Sequence, residues 1–586
     1  MSGRLLLCSK TDRIEKLIRL FKYYIKHMLN SISVMVGRGI IYWTPDMVKS
    51  KYRMLMKKSD ANAFLKKINK RVCFMSSVGH KVFTALYYDM FLAHALMMRG
   101  SECQVLLCDK DLYPCFYKVY AFKGVKECCD EFCRQCRNLG QSMYEGSILE
   151  NNVHYFSQYD DEKDIKGYLS LDQVKALARS DKHIQRYEYE GINIGESVYI
   201  STRRCLNKVS LDYDNLIVLT TIQDFINRCI YLKKGFEKYL DLQKPNVMVI
   251  NDLCHNMQNL MYRLCRKRGI EVCTYEFGYE PYSFFAARNK YIDYSYPDVW
   301  REISAKALSE EDEAFVKHYS KKRMKGDNIL FGAKINHSQE YDTMLKEIGV
   351  VPRHPSYVMF TNNPYDTWLD LAQGNCLFED MKHWAVETVR CFIKNGHQLI
   401  IKPHPTEQFL KKGKNDIGIS DYLKQVYGDG LPDNITILPD NTRISPYKLM
   451  GAFDYALVYY GTLAMELSVL GKVVISVVHS HYANKGFTLT PKTLTEYEML
   501  LNGNMPRELS AEQISMAKKY YAMIFRDAQI RIPEIGANNV LNFSRSKFWN
   551  IQSFDDVMPG KSHGLDIMCN GILNGDEFIS NYGTAK

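Results

Sequence analysis

The 586-residue chain has no run of about eighteen uninterrupted apolar residues, which argues against a membrane-spanning helix. The opening Met1-Ser-Gly-Arg-Leu-Leu-Leu-Cys-Ser has too short an apolar core, and no cleavage site, for a secretory signal. Cytoplasmic residence is the expectation. Seventeen cysteines are scattered without a compact framework, as in a reducing compartment where most are buried thiols. Long internal repeats and low-complexity tracts are also missing. Beyond residue 70 there is no basic excess either: 61 Lys/Arg stand against 62 Asp/Glu, and no nucleic-acid-binding module is recognisable. Nucleic acid is therefore not an expected partner.

What is present begins with size. At this length and 46% hydrophobic content, one core does not suffice, and two domains of roughly 250 residues are expected. The formal charge of +11 lies in the first seventy residues, where sixteen Lys/Arg face four Asp/Glu. Within residues 12–28, Ile14, Leu17, Ile18, Phe21, Ile25 and Met28 share one helical stripe, with Lys16, Arg19 and Lys26 largely away from it. Such a basic amphipathic helix either lies on an anionic membrane face or packs on its own protein with solvated lysines.

The most informative stretch runs from Gln398 to Pro491. Residues 397–401 read as a buried strand that delivers Lys402 and His404, in Ile401-Lys-Pro-His-Pro405, to the strand end where open α/β sheets bind ligands. A second apolar strand (454–460) breaks at Gly461-Thr462 into a helix (463–470). Gly471-Lys472 stops that helix before a third strand, 473–478. A lysine, an imidazole and a helix start at one sheet edge suit an anionic ligand such as a diphosphate.

Upstream, residues 71–75, a helix to Met98 and residues 103–108 form a βαβ unit, with Gly79 and His80 in its first loop. Residues 116–240 read mainly as helices. Arg203 and Arg204 stand out there and are expected to be solvated. A buried strand (247–251), a helix (257–266) and a strand (271–275) follow, the last ending at Glu276-Phe-Gly278. Glu276, with Asp252 and Glu280 as fallbacks, is thus a carboxylate at a strand end followed by a glycine bend, where such sheets meet their ligands. Residues 357–361 open a second Rossmann-like domain whose first loop, Asn362-Asn-Pro-Tyr-Asp366, places Asp366 near ligand or forms an ordinary turn. The cluster Cys128, Cys129, Cys133 and Cys136 has one Cys-x-x-Cys spacing able to chelate zinc, and equally lines one face of a helix. Expected boundaries are 1–70 (basic extension), 71–320 (first Rossmann-like domain), 321–353 (linker) and 354–586 (second Rossmann-like domain).

The segments Tyr459-Tyr-Gly-Thr-Leu-Ala-Met-Glu466, Leu470-Gly-Lys-Val-Val-Ile475 and His481-Tyr-Ala-Asn-Lys-Gly-Phe-Thr488 resemble the C-terminal domain of bacterial capsule and surface-polysaccharide biosynthesis proteins. These are GT-B-type glycosyltransferases or close relatives, Kdo transferases of capsule export systems among them. Phe360-Thr-Asn-Asn-Pro-Tyr-Asp-Thr-Trp368, Lys244-Pro-Asn-Val-Met-Val-Ile-Asn251 and Thr274-Tyr-Glu-Phe-Gly-Tyr279 extend the likeness over roughly residues 70 to 500. The resemblance implies a GT-B architecture, two Rossmann-like domains about a cleft. It implies a nucleotide-sugar donor held by Lys402, Gly461, Thr462, Glu466, His481 and Lys485, and catalysis by Glu276 with His404. Gly79, His80, Asp252, Gly278 and Asp366 would border the cleft. The acceptor would be a glycan or a lipid-linked glycan at the inner membrane surface. Fixed cations and amides would stabilise the leaving phosphate, so no metal and no other cofactor is expected. Where related transferases carry an acidic pair before the glycine, this chain has Tyr275-Glu276. Three other readings stay open: a nucleotide-sugar epimerase, a teichoic-acid-type polyol-phosphate transferase, and a non-catalytic component of polysaccharide assembly or export.

Overall fold

The computed structural model describes residues 70–76, 83–109, 136–159, 167–325, 353–363, 376–409, 417–535 and 554–580, a few single positions within them excepted, together with 348 and 350. Gly79, His80, Asp366, the amphipathic stretch 12–28 and Cys128, Cys129 and Cys133 lie outside the described residues. The chain forms two compact units. Each is an α/β body built on a largely or wholly parallel sheet.

The first unit comprises residues 1–206, 213–291 and 530–578. Its sheet contains β1 (Arg71–Met75), β2 (Glu102–Leu107), β3 (Val153–Tyr155), β6 (Val247–Asn251), β7 (Glu271–Phe277), β8 (Ser283–Arg288) and β14 (Ile530–Arg531). The spatial order is β14-β8-β7-β6-β1-β2-β3. Pairing is parallel from β3 through β7 and antiparallel at β8 and β14. A small hairpin of β4 (Glu188–Tyr189) and β5 (Ile192–Asn193) stands apart. All five residues of β6 are buried, as a strand covered on both faces requires. The chain winds outward from β1 to β3, then returns to the other side of β1 with β6. The crevice at their C-terminal ends, where Met75 and Asn251 exit, is the topological switch point.

The second unit comprises residues 207–212, 292–529 and 579–586. Its sheet is wholly parallel: β9 (Ser356–Phe360), β10 (Gln398–Lys402), β11 (Ile435–Ile437), β12 (Tyr455–Val458) and β13 (Val473–Ser476), in the order β11-β10-β9-β12-β13. The winding repeats that of the first unit, with the switch point between β9 and β12. The helix feeding β10, Met381–Asn395, starts where the Asp380 side chain accepts the His383 amide at 2.7 Å and stops at Gly396, whose φ of 73° a glycine adopts without strain.

Two expectations about organisation change. Residues 321–324 are not linker: they end the helix Glu310–Met324, which packs within the second unit through Arg526–Asp312 (2.8 Å) and the Tyr319–Phe525 contact. The tail of the chain is divided as well, because β14 extends the first sheet and the helix His563–Asn574 packs on the helix Phe83–Met97 of that same unit. All twelve described cysteines are free. Among the described residues no helix is long and apolar enough to cross a membrane.

Candidate functional site

Lys402 is the last residue of β10 and is only 5% exposed. Its register partner, Phe360, ends β9 beside the switch point of the second unit. The Lys402 ammonium makes no hydrogen bond or ion pair with any described residue. Burial lowers its pKa from 10.5 to about 8, opposed by the Glu407 carboxylate. At neutral pH it therefore stays mostly protonated, a buried cation without the paired partner, among the described residues, that such groups ordinarily have.

His404 follows after Pro403, and Pro405 after that; two residues without N–H groups stiffen the exit of the strand. The backbone N–H of His404 donates to Thr361 Oγ1 (2.8 Å), and the Thr361 hydroxyl donates to Glu407 Oε1 (2.6 Å). Glu407 is 1% exposed and accepts the Ser420 amide on its other oxygen. Burial raises its carboxyl pKa, and these hydrogen bonds partly offset the rise. The chain Glu407–Thr361–His404 thus pins the loop after β10 to the loop after β9. The Nδ1 of His404 lies 2.7 Å from Thr406 Oγ1 and accepts the Thr406 amide at 3.2 Å. The Thr406 hydroxyl in turn donates to Asn363 Oδ1 at 3.2 Å, tying the imidazole to the loop after β9. Burial, with Lys402 adding to it, lowers the imidazole pKa to about 4. His404 is consequently a neutral imidazole at physiological pH, and Lys402 supplies the charge.

Across the switch point, Gly461 has φ 122°, and a Cβ there would lie 4.0 Å from the Asn362 amide atoms. The helix beyond it, Leu463–Ser468, is two residues shorter than expected, and Thr462 makes no side-chain cap. Instead, Thr462 Oγ1 faces Arg323 Nη2 at 3.3 Å, and the same nitrogen donates to Glu466 Oε1 at 2.7 Å. The Tyr447 hydroxyl donates to the other oxygen of Glu466. Burial pushes the Glu466 carboxyl up, but Arg323 and these donors outweigh it and hold it below the usual range. Both oxygens of Glu466 are thus engaged inside the protein. His481 is likewise enclosed: its Nδ1 lies 3.0 Å from the Tyr520 hydroxyl and its ring stacks on Tyr520, while burial lowers its pKa to about 3. Lys485 rests over Trp300 and Tyr520 at 5.8 and 5.9 Å. Lys402, His404, Asn362 and Gly461 gather around the switch point; His481 and Lys485 belong to an aromatic cluster with Tyr294 and Trp300.

In the first unit, β7 runs two residues further than expected, so Glu276 lies within the strand, opposite Phe285 of β8. Asp252 leaves β6 in a left-handed conformation, φ 54°, a strain of about 1 kcal/mol for a non-glycine residue. Its carboxylate accepts the Cys254 amide at 3.0 Å and lies 3.2 Å from His255 Nε2. Burial raises the Asp252 pKa, and His255 with these bonds more than reverses that. One ligand atom each from Asp252, Cys254 and Glu276 lies within 4.8 Å of the others. The two carboxylates singled out from sequence are thus neighbours. Burial pushes the Cys254 thiol up, so in the protein alone it is protonated. Gly278, buried, bonds through its N–H to Ser283 O at 2.8 Å, tying β7 to β8.

Sequence reasoning overlooked Arg323, Tyr447, Thr361 and Glu407. Buried charged or hydroxylic residues in unremarkable contexts leave no local pattern, and Arg323 falls in the stretch expected to be linker. Arg203 is a further difference. It is 5% exposed, with its guanidinium 5.4 Å from the Tyr199 ring centroid, instead of solvated.

No protein-family model matches the chain, and no curated protein matches it in sequence. Among solved structures it is similar to the Thermosulfurimonas dismutans KpsC β-Kdo 2,4 transferase, with 14% identity and a TM-score of 0.30 over 47% of this chain and 79% of that one. It is similar as well to the Methanocaldococcus jannaschii UDP-GlcNAc 2-epimerase in complex with UDP-GlcNAc and UDP (10%, TM-score 0.23, 77% and 97%). A third similar structure is a UDP-forming trehalose-phosphate synthase from Burkholderia xenovorans (11%, TM-score 0.25, 55% and 77%).

Proposed function

We propose that the protein is a glycosyltransferase whose second unit binds the phosphate of a nucleotide-sugar donor at the β9–β12 switch point. The observation that carries this reading is the buried Lys402, which has no partner among the described residues, beside the neutral imidazole of His404. A lysine 5% exposed at the end of a parallel strand suits a phosphate as its counter-charge, since such strand ends are where open α/β sheets take ligands. Lys402 would neutralise charge on the leaving phosphate, and His404 would donate a hydrogen bond to it while staying neutral. Asn362 and the Gly461 backbone would border the same phosphate. In the first unit, Glu276 and Asp252 are the candidates to take the acceptor hydroxyl proton. Strain at Asp252 and the closeness of two carboxylates support that role. The acceptor we favour is a growing surface polysaccharide or its lipid-linked precursor, with residues 12–28 as a membrane-surface contact.

The test is a thermal-shift and turnover panel of CMP-, UDP-, GDP- and CDP-linked donors on the wild type, His404→Ala and Glu276→Ala. Stabilisation by one nucleotide class that His404→Ala abolishes, with transfer lost in Glu276→Ala, is the expected result. No response to any nucleotide by the folded protein would refute the donor site and favour a non-catalytic role in polysaccharide assembly. The carboxylate pair also suits an epimerase, which would interconvert the sugar of the donor with no acceptor added; CDP-glycerol turnover would instead indicate a polyol-phosphate transferase.

A further inference from the structure

The helix Glu310–Met324 ends on a side chain that reaches the proposed phosphate site without belonging to its strands. Arg323 Nη2 bridges two oxygens of one short helix, Thr462 Oγ1 at 3.3 Å and Glu466 Oε1 at 2.7 Å. The guanidinium carbon lies 4.8 Å from the Phe525 ring centroid, and Tyr447 occupies the remaining oxygen of Glu466. The supporting helix is itself held: Arg526 pairs with Asp312 at 2.8 Å, and Tyr319 packs on Tyr521 and Phe525. Glu466 at 5% exposure and the Arg323 side chain at 15% are largely out of water, where an ion pair of this kind fixes geometry more than it adds stability. What it fixes is the Gly461–Thr462 turn. Gly461 can hold its φ of 122° only as glycine, and that freedom leaves the turn with no intrinsic preference for facing Asn362.

We propose that Arg323 is a positioning residue for the phosphate site, orienting the Gly461–Thr462 turn toward Asn362 by holding Thr462 and Glu466 from a separately anchored helix. It follows that Glu466 serves as the anchor for Arg323 and does not read the donor directly. The inference rests on the donor-phosphate reading for its functional meaning, but its structural content stands separately. A lysine cannot replace the arginine fully, because a single ammonium on a flexible stem does not hold the same fork geometry.

The experiment uses the full chain as wild type, Arg323→Lys, Arg323→Met/Glu466→Gln and Glu466→Gln. It reads amide hydrogen exchange over residues 459–467 and the affinities for UDP, CMP and inorganic pyrophosphate. In the double variant no buried charge is left uncompensated, so melting stays near the wild-type value. Exchange at the turn nevertheless rises about tenfold and the affinity of whichever probe the wild type binds falls about tenfold. Arg323→Lys falls between the two. Wild-type exchange at the turn in a stably folded double variant, or in Arg323→Lys should the double variant not fold, would overturn the inference. Faster exchange with no binding of any probe by the wild type would leave Arg323 as the holder of the turn and would refute the donor site instead. Faster exchange with unchanged affinity would refute its positioning role for the ligand.

Discussion

Replacing Lys402 with methionine separates a residue kept for binding from one kept for folding. A buried lysine whose pKa falls from 10.5 to about 8 costs the folded state about 3 kcal/mol at pH 7, because the unfolded chain holds the proton more readily. Methionine has a similar reach and no charge to desolvate. Lys402→Met should therefore raise stability by about 2 kcal/mol after allowance for imperfect packing, or roughly 5 °C in melting temperature for a unit of this size. The sign of the pH dependence follows from the lowered pKa. The wild type gains stability as pH rises from about 8 toward 10.5, since the unfolded state binds more protons there. The advantage of the methionine variant should accordingly shrink over that window and vanish above it. Over the same substitution, stabilisation by nucleotide or pyrophosphate should disappear. Thermal melts at pH 7, 8.5 and 10, with and without ligand, check both halves. A variant less stable than the wild type at pH 7, or one that keeps the full ligand response, would refute the reasoning.

Two other outcomes follow from buried groups. His94 and His404, each lowered to about 4, and His481, lowered to about 3, are held neutral by burial, so folding stability should fall as pH drops from 6.5 to 4. Urea midpoints measured across that range should decline, and a flat profile would show that the imidazoles reach water. At Gly418, a Cβ would stand 2.4 Å from Glu407 Oε2, so Gly418→Ala must displace a carboxylate that is 1% exposed. A loss of about 1–3 kcal/mol is expected, together with weaker nucleotide binding through the Thr361–His404 link; unchanged affinity would show that this link does not set the imidazole.

Much of the fold was legible because its strands are covered on both faces. A strand covered on both faces in a parallel sheet is apolar along most of its length, and residues 71–75, 247–251 and 473–478 announce themselves that way. The strand observed as Val247–Asn251 has the expected ends, while β13 stops at Ser476. Edge strands were harder. β11 and β14, of three and two residues, are too short to carry a pattern that separates them from loop, and β14 pairs with a strand more than two hundred residues away. No local rule shows such a pairing, and so the division of the chain after Gln529 went unseen.

For the candidate site the same contrast holds residue by residue. By itself the sequence determined two α/β units with parallel strands, and the presence of Lys402 and His404 at the mouth of one strand, because hydrophobic period and proline or glycine punctuation are local properties of the chain. Only the tertiary structure decided that Lys402 is without a partner among the described residues, that His404 is neutral, and that Asp252 and Glu276 adjoin. The same is true of Glu466 being spent on Arg323 and of His481 being enclosed by Tyr520. Charge state and hydrogen-bond partner depend on burial and on groups distant in sequence, here 143 positions apart for Arg323 and Glu466, and burial is a property of packing in three dimensions.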